Sequence, residues 1–222
     1  KYVSIINSDD VYTPDRFEKI LKFLENKDSV CVITDVIPIS DSDSEFTDPE
    51  FGWNVWHQKN RKFFKESDDI YTAFLKGNFM VTTSNLFMTA DAMRSVGKFC
   101  SLRYLHDYDY IFRLMLQFPG KVEYMYDDKL LYYRIHDGNT LGEAAIIGRE
   151  QDQDLIKKYM LKKIPEEYHQ YVQAGSERIV ELEQELNEVK QVLYPNEGLN
   201  GVKPAALSFV RAVKVWAKKQ IS

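Results

Sequence analysis

Long apolar runs are missing from this chain of 222 residues. No stretch reaches the roughly 18 apolar residues needed to span a bilayer, and no signal peptide is visible, so the expected setting is cytoplasmic. Cysteine is scarce: there are two, Cys31 and Cys100. Both stand among apolar or strand-like residues, which reads as two buried free thiols in a reducing compartment. A basic excess is lacking too. The net charge of −5 argues against a general nucleic-acid binder. Nor is there a glycine-rich phosphate loop, which weakens a phosphoryl-transfer reading. The chain begins with Lys1 and enters a strand with no lead-in. A central parallel strand needs a neighbour on each side, so we expect a segment of a longer protein whose first strands precede residue 1.

What is present is a core-forming composition, 44% hydrophobic and 14% aromatic. The surplus of aromatics serves either a large core or a cleft that handles sugars. The opening stretch, Tyr2 to Asp10, runs apolar up to a polar tip with two adjacent carboxylates. That pattern predicts a buried strand whose C-terminal end faces a site. A helix follows over 13–26, with Thr13 as cap, Pro14 at its first position and Phe17, Ile20, Leu21 and Leu24 on one face. Val30 to Pro38 predicts a second strand, apolar enough to be buried on both faces, completing a βαβ unit.

Residues 40–69 are polar and acidic with Phe51, Trp53, Trp56, Phe63 and Phe64 interleaved, and Ser40 to Glu45 reads as a mobile loop. A short helix over 70–75, a strand over 79–88 and a brief helix from Thr89 to Gly97 come next. A helix over Leu105 to Gln117 opens on His106-Asp-Tyr-Asp109 and stops at Phe118-Pro-Gly120. Two strands, 121–126 and 130–135, follow, joined by a turn at Asp127-Asp128. Composition then changes, dividing the chain into 1–150 and a helical, charged 151–222. Ile179, Leu182, Leu186, Val189 and Leu193 keep alternating three- and four-residue spacing, about two heptads, so 172–193 could join copies of the chain. A basic helix over 203–220 carries Phe209, Val213 and Trp216 on one stripe. It could lie on an anionic membrane surface or dock on another domain.

Several residue groups could carry chemistry, each with a plainer alternative. Asp9 and Asp10 either cap a turn or hold a hard divalent cation. Asp107 and Asp109, in the first turn of their helix, either stabilise the helix dipole or supply a general base. His136 is either structural or a metal ligand. Arg134 either grips a phosphate through its planar fork or forms a salt bridge with Asp127 or Asp128.

Together these blocks resemble the family 2 glycosyltransferases, which have the GT-A fold, a mixed α/β sheet flanked by helices. Asn7-Ser-Asp-Asp10 with Pro14-Asp-Arg16 is similar to the family's DXD-type motif and the helix after it. Val96-Gly-Lys-Phe99 with His106-Asp-Tyr-Asp-Tyr-Ile-Phe-Arg113 is similar to its acceptor-side segment. Leu130-Leu-Tyr-Tyr-Arg-Ile-His136 resembles its closing strand. The resemblance implies a partial GT-A domain over 1–150 with its N-terminal strands missing. It implies inverting sugar transfer from a nucleoside-diphosphate sugar to a glycan or lipid-linked hydroxyl, in surface polysaccharide synthesis. Asp107 would be the base; Asp9, Asp10 and His136 would hold Mg²⁺ or Mn²⁺; Asn7, Asp10 and Arg134 would bind the donor. Two departures stand out: Asn7 replaces the first acid of the motif, and His106 stands where the family often has Glu. The competing reading is a non-catalytic interaction or oligomerisation segment of a larger glycan-synthesis protein.

Overall fold

The structure, a computed structural model, describes residues 1–102, 104–135 and 147–193, with the backbone alone described at 147–151 and 190–193. The chain forms two compact units, 1–165 and a second from Glu166 onward. The first holds a five-stranded mixed sheet in the order β1 (Tyr2–Ser4), β4 (Phe87–Thr89), β3 (Cys31–Ile39), β5 (Val122–Arg134), β2 (Val11–Tyr12). Strands β3 and β5 run parallel, and the other pairs are antiparallel. Helices flank the sheet, giving the GT-A-like α/β architecture with a helical C-terminal part.

The two-residue period of a strand sends alternate side chains to opposite faces, and each face has its own core. Cys31 and Ile33 of β3, Tyr124 of β5 and Met88 of β4 face one side. There they meet α3 (Ile70–Lys76), α4 (Ala90–Val96), α5 (His106–Gln117) and α6 (Ile147–Leu161). Val32, Met125, Leu130 and Phe87 face the other side, where α1 (Arg16–Leu24) covers them with Ile20 and Leu24. This two-sided burial is why β3 reads as a continuous apolar run.

The structure corrects several boundaries. Helix α1 begins at Arg16, and Thr13 gives it no cap; the Thr13 amide instead donates to the Leu130 carbonyl at 3.2 Å. Strand β1 lies at a sheet edge with β4 as its one neighbour among the described residues, which leaves Tyr2 44% exposed. Within 40–69, the aromatic stretch after residue 51 forms a helix, α2 (Gly52–Ser67), that the sequence reading did not assign. The strand predicted over 79–88 is confined to β4, because 78–86 coil through tight turns and a 3-10 turn at Thr83–Asn85. The two strands predicted around Asp127-Asp128 are one strand. Thr34 faces Met125 while Asp35 faces Lys129, so 126–128 bulge out of β5 without ending it. The first unit also runs past residue 150, because Leu155 and Tyr159 of α6 lie in its core, 3% and 1% exposed.

The second unit, taken by itself, contains α7 (His169–Leu193) after a 3-10 turn at Glu166–Tyr168. Its Ile179, Leu182, Leu186 and Val189 are all exposed. The basic stretch 203–220 lies outside the described residues. Among the described residues no helix is long and apolar enough to cross a membrane.

Candidate active site

The opening apolar run turns back on itself at Asn7–Asp10, closed by the Asp10 amide donating to the Asn7 carbonyl at 3.3 Å. Ser8 and Asp9 form the tip of that turn, and Asp10 points inward, 6% exposed. Three donors from two segments hold its carboxylate. Ser84 Oγ donates to Asp10 Oδ2 at 2.6 Å, Thr82 Oγ1 donates to the same oxygen at 3.0 Å, and the Arg134 amide donates to Oδ1 at 3.3 Å. Burial pushes the carboxyl up from its ordinary value, and these donors pull against it. Asn7 belongs to the same knot: its Nδ2 donates to Thr82 Oγ1 at 3.0 Å and its amide to Ser84 Oγ at 2.9 Å.

The segment Thr82–Asn85 is therefore the hub, a role that its apolar–polar spacing does not announce. Val81, which leads into it, has φ of 75°, a region that costs a β-branched residue strain. Thr83 extends the hub to the start of α5: its Oγ1 lies 3.2 Å from His106 Nε2. Asp107 follows, buried, with Oδ1 accepting from the Tyr108 amide at 2.7 Å. Burial pushes its carboxyl up to about 6, while the charge of His106 pulls the other way. Asp109, one turn-step on, differs in kind. Burial raises it, but Tyr159, Lys158 and Arg113 outweigh burial and hold it below its ordinary value. Those partners bond it at 2.6, 2.9 and 2.7 Å. Asp109 thus clamps α5 to α6, and the two acids of that helix separate into one clamped and one poised.

Strand β5 completes the cluster. Tyr133 is pushed up to about 12, first by burial and then by the negative charges of Asp10, Asp9 and Asp107. The charges of three of the four carboxylates that the sequence pointed to thus bear on one phenol, although Asp10 and Asp107 stand more than ninety residues apart in the chain. Arg134 makes the turn fast. Its Nε donates to the Asp9 carbonyl at 2.9 Å, its Nη1 to the Ser40 carbonyl at 2.6 Å and its Nη2 to Asp43 Oδ1 at 2.6 Å. Among the described residues Asp43, and neither Asp127 nor Asp128, pairs with it; Arg61 is the arginine near Asp127, at 4.0 Å. His136 lies outside the described residues. Among the described residues no three His, Cys, Asp or Glu side chains converge as a metal cluster.

A second constellation escaped the sequence reading. Asp35, 1% exposed inside β3, lies 3.0 Å from Arg61 Nη2 and 3.6 Å from His57 Nε2, and accepts from the Tyr124 hydroxyl at 3.0 Å. Burial raises Asp35 against the pull of Arg61. His57 is pushed down to about 4, by burial and then by Arg61, so it is neutral and makes no ion pair with Asp35. One signal could have revealed the site: an acid in mid-strand within an otherwise apolar run. Trp53 stacks between His57, at 4.7 Å, and Tyr133, at 6.2 Å, linking this group to the acidic cluster.

Against known proteins, residues 1–86 match the model of glycosyl transferase family 2. The matched stretch contains the Asn7–Asp10 turn, β3 with Asp35, and the Thr82–Asn85 hub. No curated protein matches the chain significantly.

Proposed function

We propose that this chain carries the catalytic centre of an inverting, metal-dependent glycosyltransferase. The reading takes a nucleoside-diphosphate sugar as donor and a glycan or lipid-linked hydroxyl as acceptor, in surface polysaccharide synthesis. The family match over residues 1–86 supports a glycosyltransferase in general. The observation that carries the finer reading is the Thr82–Asn85 segment, which holds Asp10 through Ser84 and Thr82 and meets His106, the neighbour of Asp107, through Thr83.

Asp107 is the base. Its raised pKa keeps the carboxylate basic enough to accept a proton near neutrality. The acceptor oxygen attacks the anomeric carbon, its proton passes to Asp107, and the bond to the nucleoside diphosphate breaks on the opposite face. The Asn7–Asp10 turn suits Mg²⁺ or Mn²⁺ by the hardness of its oxygen donors. Asp9 at the turn's tip is the ligand from this segment, with His136 as the further ligand. Asp10, whose oxygens already accept from Ser84, Thr82 and Arg134, supports the turn from beneath. A bound cation would neutralise charge gathering on the leaving diphosphate. Arg134 and Asn7 hold the turn in the shape that faces the donor.

The test is nucleoside-diphosphate release from a panel of nucleotide sugars by the protein that carries this chain, with Mn²⁺ and then with chelator. Asp107→Asn should lower turnover by about 10² to 10⁴-fold. Equal turnover would remove Asp107 as base, and turnover indifferent to chelation would remove Asp9 as ligand.

A further inference from the structure

The acidic turn rests on Ser84 and Thr82. What fixes that segment lies one layer deeper, at a residue that the chemistry proposed above does not use. Arg16, the first residue of α1, is 0% exposed. Burial pulls its guanidinium down to about 10, so it is still a cation at neutral pH. Among the described residues its partners are hydroxyl, carbonyl and amide oxygens, with no carboxylate in ion-pair reach. A buried cation without a counter-ion is costly, and an apolar chain of that length would fill the same space at less cost.

The oxygens around it account for the charge. The register between β3 and β5 breaks between Thr34 and Asp35. Asn85 steps in there as a side-chain ladder partner. The Thr34 amide donates to Asn85 Oδ1 at 2.9 Å, and Asn85 Nδ2 donates to the Thr34 carbonyl at 2.8 Å. Arg16 closes the arrangement with its two terminal nitrogens. Nη1 donates to Thr34 Oγ1 at 2.7 Å and to the Leu130 carbonyl at 3.4 Å; Nη2 donates to the Asn85 carbonyl at 3.0 Å and to Asn85 Oδ1 at 3.4 Å. A planar fork with several donors and no acceptor is what such a set of oxygens requires. Adjoining Asn85 is Ser84, whose Oγ donates to Asp10 at 2.6 Å and accepts from the Asn7 amide at 2.9 Å. Tyr12 adds a second route: the guanidinium lies over its ring at 4.7 Å, and its hydroxyl is 3.1 Å from the Ser84 carbonyl.

We propose that Arg16 is a positioning residue for the reaction: its fork pins Asn85 to Thr34 of β3 and, through the adjoining Ser84, sets where Asp10 and the Asn7–Asp10 turn stand. Its part in the reaction rests on the glycosyltransferase reading; its grip on the turn does not.

The first test is the amide NMR spectrum of the protein that carries this chain. The amides of Asn7 and Arg134 report on Ser84 and Asp10. In Arg16→Met both resonances should move, while those of Phe112 and Leu114 in α5 stay in place. A role in stability alone would lower the melting temperature and leave the native resonances where they are. Arg16→Lys keeps the buried cation but cannot span Thr34 and Asn85 with one nitrogen, so it should move the same two resonances, and it decides the matter if Arg16→Met fails to fold. The second test is turnover in the nucleoside-diphosphate release assay. Arg16→Lys and Ser84→Ala should each lower kcat by about tenfold or more, and the double variant should be no slower than the slower single, because both act along one chain of contacts. Unmoved Asn7 and Arg134 resonances in Arg16→Lys overturn the proposal, and so do losses of turnover that multiply. A wild-type protein that releases no nucleoside diphosphate removes the glycosyltransferase reading and with it the part of Arg16 in the reaction, while the resonances still decide its grip on the turn.

Discussion

At the scale of single residues, the site is a contrast between acids that look alike in the sequence. Asp107 and Asp109 are two residues apart on α5, yet one is held near 6 by burial and the other is pinned low by three partners. If Asp107 is the base, its ionised form is the active one, so kcat/KM should rise with pH through about 6. The charge of His106 lowers Asp107, so His106→Gln should move that limb to higher pH. A pH–rate profile of both proteins checks this, and a limb that stays in place would count against the pairing. The same shift bears on stability with a definite sign. The folded carboxyl binds its proton more tightly than the unfolded one, from 3.8 up to about 6. Stability on this account falls as pH rises across that window, and urea melts of Asp107→Asn should lack the fall. Asp10 gives a different prediction. Asp10→Ala would strand the buried hydroxyls of Ser84 and Thr82 and the Arg134 amide. The expected loss is about 2–4 kcal/mol by chemical denaturation, with Asp10→Asn milder because it keeps the shape and part of the acceptor capacity.

At the scale of elements, the legible parts were those whose signals are local. The helix from Thr89 is capped as its sequence says, with Thr89 Oγ1 accepting from the Ala92 amide at 3.1 Å. The start of α5 and the two-faced burial of β3 follow equally from local pattern. What stayed hidden depends on distant partners. Helix α2 escaped the sequence reading because its aromatics serve three neighbours at once: Trp53 meets Tyr133, and Phe64 meets both Tyr124 and Tyr126. Strand β5 looked like two strands because its bulge is defined only against β3. The Thr82–Asn85 hub was invisible as a site, since short hydroxyls take on meaning only when an acid arrives from another turn. The limit of the first unit was hidden for the same reason, and it is testable. Helix α6 supplies Leu155, Tyr159 and the Tyr159 hydroxyl on Asp109. A chain cut after residue 150 should therefore bind a hydrophobic dye and melt without cooperativity, while a cut after Pro165 keeps a cooperative transition. Tyr159→Phe in the full chain isolates the hydroxyl, with an expected cost of about 1.5–3 kcal/mol.

At the scale of the whole molecule, the question is what the second unit adds to the first. Helix α7 exposes Ile179, Leu182, Leu186 and Val189, at 68, 47, 40 and 51%. Their three- and four-residue spacing draws them into one stripe, and Arg178 is tied to Glu181 and Glu185 within the same helix, at 3.0 and 3.2 Å. Such a stripe suits pairing with a second copy, and its length sets how strong that pairing can be. Fully burying a leucine-sized side chain contributes roughly 1.5–3 kcal/mol, and part of each of these is already covered within its own helix, so each adds less. Against that stands an association cost of about 4–15 kcal/mol. Two heptads therefore support a weak, reversible dimer, with a Kd of roughly micromolar or above, and not an obligate one. Sedimentation velocity of the full chain should show a coefficient that climbs with concentration. Leu182→Lys with Leu186→Lys should hold it at the monomer value at every concentration, because two buried ammonium groups per chain outweigh the apolar gain. A wild-type coefficient that never changes would mean that α7 meets something other than its own copy. The competing reading, in which this protein is an interaction segment without chemistry, predicts the reverse pattern. In that case the lysine pair would abolish the protein's role while Asp107→Asn left it intact, and measuring both variants side by side separates the two.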